Sequence, residues 1–521
     1  VIYTVQDLSP ESRDRLVYNL LYHFASHELQ CRRETEALLR DIRARRRVDE
    51  LSRNPLFCTT LVLVYKYRQA SLPERRVDVY QELVTLMLGF WEMQREGVAA
   101  VRELALEDGT GRDFLDENEA VEAKERALIA VADWMQHQEK AEVNKAETVA
   151  HLADYFAERE GADVSEKEQW ARGFLIVAHQ RSGLLVEVEP EIYAFSHQNF
   201  REYLAATALV NRTDTKMVAA VLAQAKNSWW HEVILLAAAH KRLSAERREL
   251  LLAEMLAAGH VVLAGQCAVD AGRRLPAPMQ QQLMAQLHQQ MTDSAIPPQE
   301  RAAAGAALDA LGWLPPDLNT WIRCPARADN RQDLLAMKYP LTNAQFELFM
   351  ADGGYENPAY WNGEGSEGWQ WRLAGKRAFT DRGTDEPEFW QDTRFGRERR
   401  GYPVVGISWY EATAYMAWLT ALLRRSQEGV ELPDEQQALI ADLVAAGATD
   451  IRLPTETEWV TIAGGEEKER YPWDKMIEAV TKEKTEIVQR ANVYETEIGS
   501  TSPVGTYPHG ASYPFGVMDM A

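Results

Sequence analysis

The chain has 521 residues, room for three to four domains with ample core, and its 79 acidic against 57 basic residues give a net charge of −22. That balance argues against a generic nucleic-acid or anionic-membrane surface, and no apolar run of about eighteen residues suggests a membrane span. Four cysteines lie far apart (Cys31, Cys58, Cys267, Cys324) with no Cys-x-x-Cys pair, which suits buried thiols in a reducing, cytoplasmic compartment better than a disulfide framework or zinc site.

The sequence opens Val1-Ile2-Tyr3 with neither methionine nor signal-peptide pattern and stops at Met520-Ala521 in mid-motif, so it reads as a piece of a longer protein. Residues 11–135 are helical in pattern. Leu16, Leu20, Leu21 and Phe24 form one expected stripe and Leu38, Leu39 and Ile42 another. A third helix runs from Leu56 to Tyr67 and a long one from Val77 to Gln94. His23 and His27 sit four apart, a spacing that could hold a metal. No Glu lies between them and no third ligand is near, so they read as partly exposed helix histidines. The acidic stretch Glu107–Glu119 reads as a solvated loop.

Helices over Ala127–His137, Thr148–Glu158 and Glu166–Gln180 precede two β-rich runs, Gly183–Val188 and Ile192–Phe195, around a Glu-Pro-Glu turn. Three helices and a hairpin make the layout of a winged helix. Its third helix (Lys167, Glu168, Trp170, Arg172) is too weakly basic to recommend DNA, and a scaffold role is expected.

Phe195-Ser-His-Gln-Asn-Phe-Arg-Glu-Tyr-Leu-Ala-Ala206 follows. With Arg53-Asn-Pro-Leu56 and Leu72-Pro-Glu-Arg-Arg76, it resembles the C-terminal half of NACHT-type STAND NTPases: a four-helix subdomain (1–120) and a winged helix (121–215). The resemblance implies that Pro55 packs on the adenine and His197 touches the β-phosphate of bound ADP. A flat pyrrolidine suits a base and an imidazole can donate to phosphate. The structural alternative is that Pro55 opens a helix and His197 caps the exit of the hairpin. No Gly-x-x-x-x-Gly-Lys-Ser/Thr occurs; Gly375-Lys376-Arg377 lacks the upstream glycine and the hydroxyl. ATP or ADP is therefore expected only with a phosphate-binding half preceding Val1, and these residues alone are not expected to hydrolyse ATP.

Residues 216–313 are Ala/Leu-rich, with helices expected at Met217–Ala225, Trp229–Ala239, Ala245–Ala257, Gly265–Gly272, Pro278–Met291 and Pro298–Leu311. Pairs at that spacing suggest HEAT-like repeats serving as an arm or linker. Leu314-Pro315-Pro316 breaks the pattern and opens a last domain, 317–521.

That domain is punctuated by three capping boxes. Thr342/Gln345 opens a helix carrying Phe346, Phe349 and Met350 that stops at Gly353-Gly354. Ser408/Glu411 opens one with Ala412, Tyr415, Met416, Leu419, Leu422 and Leu423 on a face. Thr455/Glu458 opens a short one with Trp459, Ile462 and Ala463, ended by Gly464-Gly465. Between them, Tyr355, Tyr360, Trp361, Trp369, Trp371, Phe379, Phe389, Trp390 and Phe395 sit in irregular sequence, and are expected to anchor long loops rather than form a binding surface.

Tyr339-Pro-Leu-Thr-Asn-Ala-Gln-Phe346, Pro403-Val-Val-Gly-Ile-Ser-Trp-Tyr-Glu-Ala412, Arg452-Leu-Pro-Thr-Glu-Thr-Glu-Trp459, Tyr471-Pro-Trp473 and Pro503-Val-Gly505 resemble, in order, the formylglycine-generating-enzyme (sulfatase-modifying factor) family. The resemblance implies an α+β variant of the C-type lectin fold. It also implies a calcium segment at Asn492 and Val493, where an Asn side chain and backbone carbonyls bind a hard cation, with Glu495 and Glu497 nearby. The family's oxidase uses a copper-binding cysteine pair in the segment that follows Ala521; none of the four cysteines corresponds, so no copper site and no catalytic residue is visible. The domain order suggests a cytoplasmic signalling receptor. Its lectin-like end would bind a protein or other macromolecular ligand in bacterial defence or sensing, and the family includes targets of diversity-generating retroelements. The receptor is expected to self-oligomerise on activation, with no role for membrane or nucleic acid. The alternatives are a metal-dependent oxidase module fused to a regulatory NTPase, and a structural adaptor whose lectin-like domain only mediates assembly.

Overall fold

The computed structural model describes residues 7–520 except 44, 68–71, 74, 91–116, 160, 161, 164, 165, 273, 274, 326–332, 376–383, 465–470 and 475–482. Most of the acidic stretch, the end of the Val77–Gln94 helix, Lys376-Arg377, Phe379 and Gly465 thus lie outside the described residues. The chain divides into two compact units, Val1–Pro276 and Ala277–Ala521. The division falls ahead of the Leu314-Pro315-Pro316 break. No described helix is long and apolar enough to cross a membrane.

The first unit begins with five helices: α1 (Pro10–Tyr22), α2 (Glu28–Arg43), α3 (Arg46–Ser52), α4 (Pro55–Tyr67) and α5 (Arg76–Thr85), the last running into a π turn, Leu86–Phe90. Leu38, Leu39 and Ile42 are buried as expected. The stripe of α1 is displaced: it buries Arg13, Val17 and Leu21 and leaves Phe24 38% exposed. Arg13 is drawn inward because its guanidinium donates to Asp49 at 2.5 Å and Ser52 at 3.4 Å. His23 and His27 do not share a helix, since α1 stops at Tyr22 and α2 starts at Glu28. The four-residue spacing therefore puts nothing on one face, and His27 Nδ1 accepts the Gln30 N–H at 3.1 Å.

The winged helix follows as α6 (Glu117–His137), β1 (Glu142–Asn144), α7 (Lys145–Arg159), α8 (Lys167–Val177), β2 (Leu185–Glu189) and β3 (Ile192–Phe195). Its antiparallel sheet has the order β1-β3-β2. Glu142–Asn144 pairs with Ala194–Ile192, a strand the sequence does not announce because it is three residues long. Then comes α9 (Gln198–Val210), which carries the Phe195–Ala206 motif and buries nearly its whole surface, from Phe200 to Val210. Helices α10 (Asp214–Gln224), α11 (Ser228–Ala239), α12 (Ala245–Ala257) and α13 (Val261–Ala271) complete the unit close to their expected spans.

The second unit starts with α14 (Ala277–Thr292) and α15 (Pro298–Ala310) and continues through a two-stranded antiparallel sheet, β4 (Trp321–Cys324) and β5 (Leu334–Met337). All three capping boxes form. They open α16 (Asn343–Ala351), α18 (Trp409–Gln427) and α20 (Glu456–Ile462); α17 (Glu367–Ala374) and α19 (Asp434–Ala445) lie between. The core brings Phe346 and Phe349 of α16 against Tyr415, Trp418 and Leu422 of α18 and Ile440 of α19. Tyr355, Trp361 and Trp390 are buried in that core and Tyr360, Trp369 and Trp371 pack on it, so these aromatics are anchors, Trp369 and Trp371 from the helix α17 rather than from irregular chain. At roughly 1.5–3 kcal/mol for each fully buried large apolar side chain, they can hold long irregular loops. Gly354 is required by this packing: a Cβ there would fall 2.3 Å from the Phe349 ring. Trp459, expected on a buried stripe, is instead 45% exposed. Glu458 of the same helix closes its capping box on Thr455 and takes both terminal nitrogens of Arg452 at 2.7 Å, which holds its carboxyl down at about pKa 2.

Candidate functional site

Pro55 and His197 are far apart in the first unit's sequence and sit at the starts of two helices that approach each other. Pro55 is the first residue of α4. The residue before it, Asn54, caps that helix, its Oδ1 accepting the N–H of Leu56 at 2.9 Å and of Phe57 at 3.4 Å. His197 caps α9, its Nδ1 accepting the Asn199 N–H at 3.2 Å. Asn54 Nδ2 and His197 Nε2 then stand 3.4 Å apart, and the Phe57 ring lies edge-on to the imidazole at 5.0 Å. The structural alternative and the nucleotide reading thus describe the same atoms, since both residues start helices and the starts face each other.

The two caps settle the chemistry between them. Nδ1 of His197 accepts a backbone N–H, so a neutral ring carries its proton on Nε2. Burial holds the imidazole below its ordinary pKa, which keeps it neutral near pH 7. Asn54 cannot present its oxygen to His197, because that oxygen is engaged with its own helix. With that tautomer two N–H donors confront each other at 3.4 Å, with no acceptor between them among the described residues. An oxyanion placed against both would satisfy them, and the two helix N-termini add partial positive charge at the same point.

Tyr80 supports this arrangement from α5. Its buried hydroxyl accepts the Asn199 side-chain N–H at 2.6 Å, and its ring packs on Phe57 with centroids 5.5 Å apart. One turn earlier on α5, Arg76 pairs with Glu232 at 2.7 Å and Asp270 at 3.0 Å. Glu202 of α9 faces this group; burial, then the Glu232 charge, raises its carboxyl to about pKa 7. Sequence reasoning singles out none of Asn54, Tyr80 and Glu202. Asn-Pro is a cap followed by a first helical residue, so Asn54 carries a local signal; the others depend on tertiary pairing.

Farther along, His240 is buried beside Tyr203. Its Nδ1 accepts the Arg242 N–H at 3.1 Å and its Nε2 faces Thr207 Oγ1 at 3.2 Å. Burial, aided by Arg242, pushes its pKa down to about 3. Its neutral form is the folded form, so its contribution is whole above the ordinary histidine value of about 6.5 and is lost as pH falls below it. Glu202 runs the other way: its contribution is whole below about 4.3, the ordinary Glu value, and is lost as pH rises through about 7. The stability advantage of wild type over His240→Gln is thus expected to shrink from about pH 7 to about pH 5. Glu202→Gln is expected to gain on wild type over about pH 5 to 8, both read from melting temperature.

Asn492 and Val493 lie in the second unit. Asn492 Oδ1 accepts from the Thr496 hydroxyl oxygen at 3.0 Å, and the Val493 carbonyl lies 2.6 Å from the same atom. Two oxygens of the kind a hard cation takes converge at the point Thr496 fills. Glu495 and Glu497 line the same open cavity as Asn492 and Val493, and Glu495 is paired with Lys484 at 3.0 Å. Among the described residues no group of three His, Cys, Asp or Glu side chains could hold a metal. The four cysteines are buried thiols.

Comparison with known proteins agrees with this layout. Residues 76–209 match the family model described as a winged helix-turn-helix domain C-terminal to NACHT, and residues 301–521 that of the sulfatase-modifying factor enzyme 1-like domain. The chain joins a NACHT-associated winged helix to a formylglycine-generating-enzyme-like domain. The match to the second domain takes in α15, the last of the expected helical repeats. The chain is also similar to the hercynine oxygenase of Mycobacterium tuberculosis, 31% identical over 190 residues, which are 34% of this chain and 32% of that protein. The hercynine oxygenase of Mycolicibacterium thermoresistibile is 28% identical over 186 residues, 34% of this chain and 31% of the relative. The serine/threonine-protein kinase pkn1 of Chlamydia caviae is 26% identical over 186 residues, 35% of this chain and 20% of that protein. The chain thus spans about a third of the hercynine oxygenases' length.

Proposed function

We propose that this chain is the switch-and-sensor part of a cytoplasmic NACHT-type signalling protein. The paired starts of α4 and α9 hold the phosphate of a bound ADP, with Pro55 beside the base. The formylglycine-generating-enzyme-like domain binds a macromolecular ligand in bacterial defence or sensing, and the helices between carry the signal. The observation that supports the phosphate role is the donor-to-donor confrontation of Asn54 and His197. The weakly charged face of the winged helix supports a scaffold over a nucleic-acid reader, since Lys167 is paired with Asp154 and Arg172 with Glu168.

The test is titration of ADP and of pyrophosphate into the full-length protein, followed by the imidazole nitrogen signals of His197. Nε2 is expected to move on binding of either, and adenosine alone is expected to leave it in place. Signals that ignore ADP and pyrophosphate at saturating concentration would sink the reading.

The similarity to hercynine oxygenases favours a second reading, an oxidase module governed by the switch. Because the four thiols are separate and buried, such a module would take its metal at other residues. Stoichiometric iron(II) or copper(I) binding to the chain would move the assignment there.

A further inference from the structure

We propose that α5 is a lever that couples the phosphate-facing helix starts to the helices α11 and α13, with Tyr80 its contact on the site side and Arg76 its contact on the far side. The proposal rests on the phosphate reading for what the lever senses; the coupling itself does not.

The contacts run without a gap. Asn199 holds His197 through its backbone N–H and Tyr80 through its side chain. Tyr80 and Arg76 are four residues apart, one above the other on α5. Arg76 reaches Glu232 on α11 and Asp270 on α13 with one nitrogen. Its neighbour Arg75 donates to the Ala239 carbonyl at 2.9 Å, at the end of α11, where a cation complements the helix dipole. The rest of the Arg75 guanidinium is held by Asp78 at 2.7 and 2.8 Å. Besides Glu232 and Asp270, Glu202 of α9 and His231 of α11 act on the Arg76 charge or feel it. So the helix that carries His197 and the helices beyond it share one cation.

Two features separate this from ordinary core packing. Charged contacts are directional and discrete, so a shift of α5 breaks them rather than sliding them. The Arg76 Nε is buried without a hydrogen-bond partner among the described residues. An incompletely satisfied guanidinium at a junction of four helices is costly, which suits a contact that is exchanged between two arrangements.

Coupling between sites is reciprocal, so it can be read from the far end without any ligand. Amide exchange would be followed at residues 56–58 and 199–201 and in α11 and α13, for wild type, Arg76→Gln, Arg76→Lys and Leu83→Ala. Leu83 is fully buried on the same helix and reports general loosening of α5. Arg76→Gln is expected to raise exchange at both helix starts about tenfold beyond that seen in Leu83→Ala at matched overall stability, a coupling of ordinary size. Because one nitrogen makes both ion pairs, Arg76→Lys is expected to restore the wild-type pattern. Exchange that rises only in α11 and α13, or equally in Leu83→Ala, would overturn the lever. Added ADP tests the phosphate reading separately: if it fails to protect residues 56–58 and 199–201 in the full-length wild type, that reading falls while the coupling result stands.

Discussion

Arg301→Met is expected to lower the stability of the second unit by about 3–5 kcal/mol, or roughly 10–15 °C in melting temperature for a unit of this size. Arg301 is fully buried and has a backbone carbonyl, not a carboxylate, on each side. Its Nε donates to the Met291 carbonyl at 3.0 Å, one terminal nitrogen to the Gln489 carbonyl at 3.1 Å, and the other to the Thr506 carbonyl. The guanidinium lies 4.7 Å from the centre of the Tyr507 ring. A buried ion pair can often be exchanged for hydrophobes at little cost, because both charges go together. Here the acceptors are main chain and cannot be removed, so methionine leaves three carbonyls unpaired. Lysine keeps the charge but not the planar fork that spans three segments, and Arg301→Lys is expected to recover less than half of the loss. Calorimetry of both variants decides it: near-wild-type melting of Arg301→Met would mean that these contacts carry no net stability.

That prediction turns on a residue whose sequence context points elsewhere. Pro298–Gly312 has the small-residue, periodic look of one more helical repeat, and its helix does form. Periodicity reports a helix and its apolar face; it does not report which neighbour the face will meet. Asp309 makes the same point, since its carboxylate accepts the Gly401 N–H at 2.5 Å. The capping boxes are legible because each is closed by residues three apart. The winged-helix hairpin is legible for a similar reason, whereas β1 exists only through its pairing with β3. His23 and His27 mislead because their spacing suggests one helix where the chain stops and restarts between them. For α1, hydrophobicity alone misses an arginine pulled inward by its partners.

The candidate site divides along the same line. Pro55 and His197 stand out through family resemblance, and each has an ordinary structural role that explains it as well. Their meeting is not legible, because the contact joins residues 143 apart in sequence. What distinguishes the site from two ordinary helix caps is the direction of hydrogen bonds, which follows only from knowing that both caps are in use. The relay behind it through Asn199, Tyr80 and Arg76 is likewise a product of four helices docking.

Asn54→Asp separates the two roles at this position. Aspartate is as good an N-cap as asparagine, and its carboxylate also complements the start of α4, so the melting temperature is expected to stay within a few degrees of wild type. The side that faces His197 changes from a donor to an anion. A unit charge about 4 Å from a phosphate oxygen costs on the order of 4 kcal/mol at the effective dielectric of a protein surface, and salt screens part of that. Affinity for ADP and pyrophosphate is therefore expected to fall about a hundredfold or more. The aspartate would also give His197 Nε2–H the acceptor it lacks, so the imidazole pKa is expected to rise toward or above its ordinary value. Both can be followed together by nitrogen-detected titration of His197, in the presence and absence of pyrophosphate. Unchanged pyrophosphate affinity with a raised His197 pKa would show that the donors meet but take no phosphate. Retained affinity with an unmoved pKa would show that Asn54 and His197 do not face each other in solution.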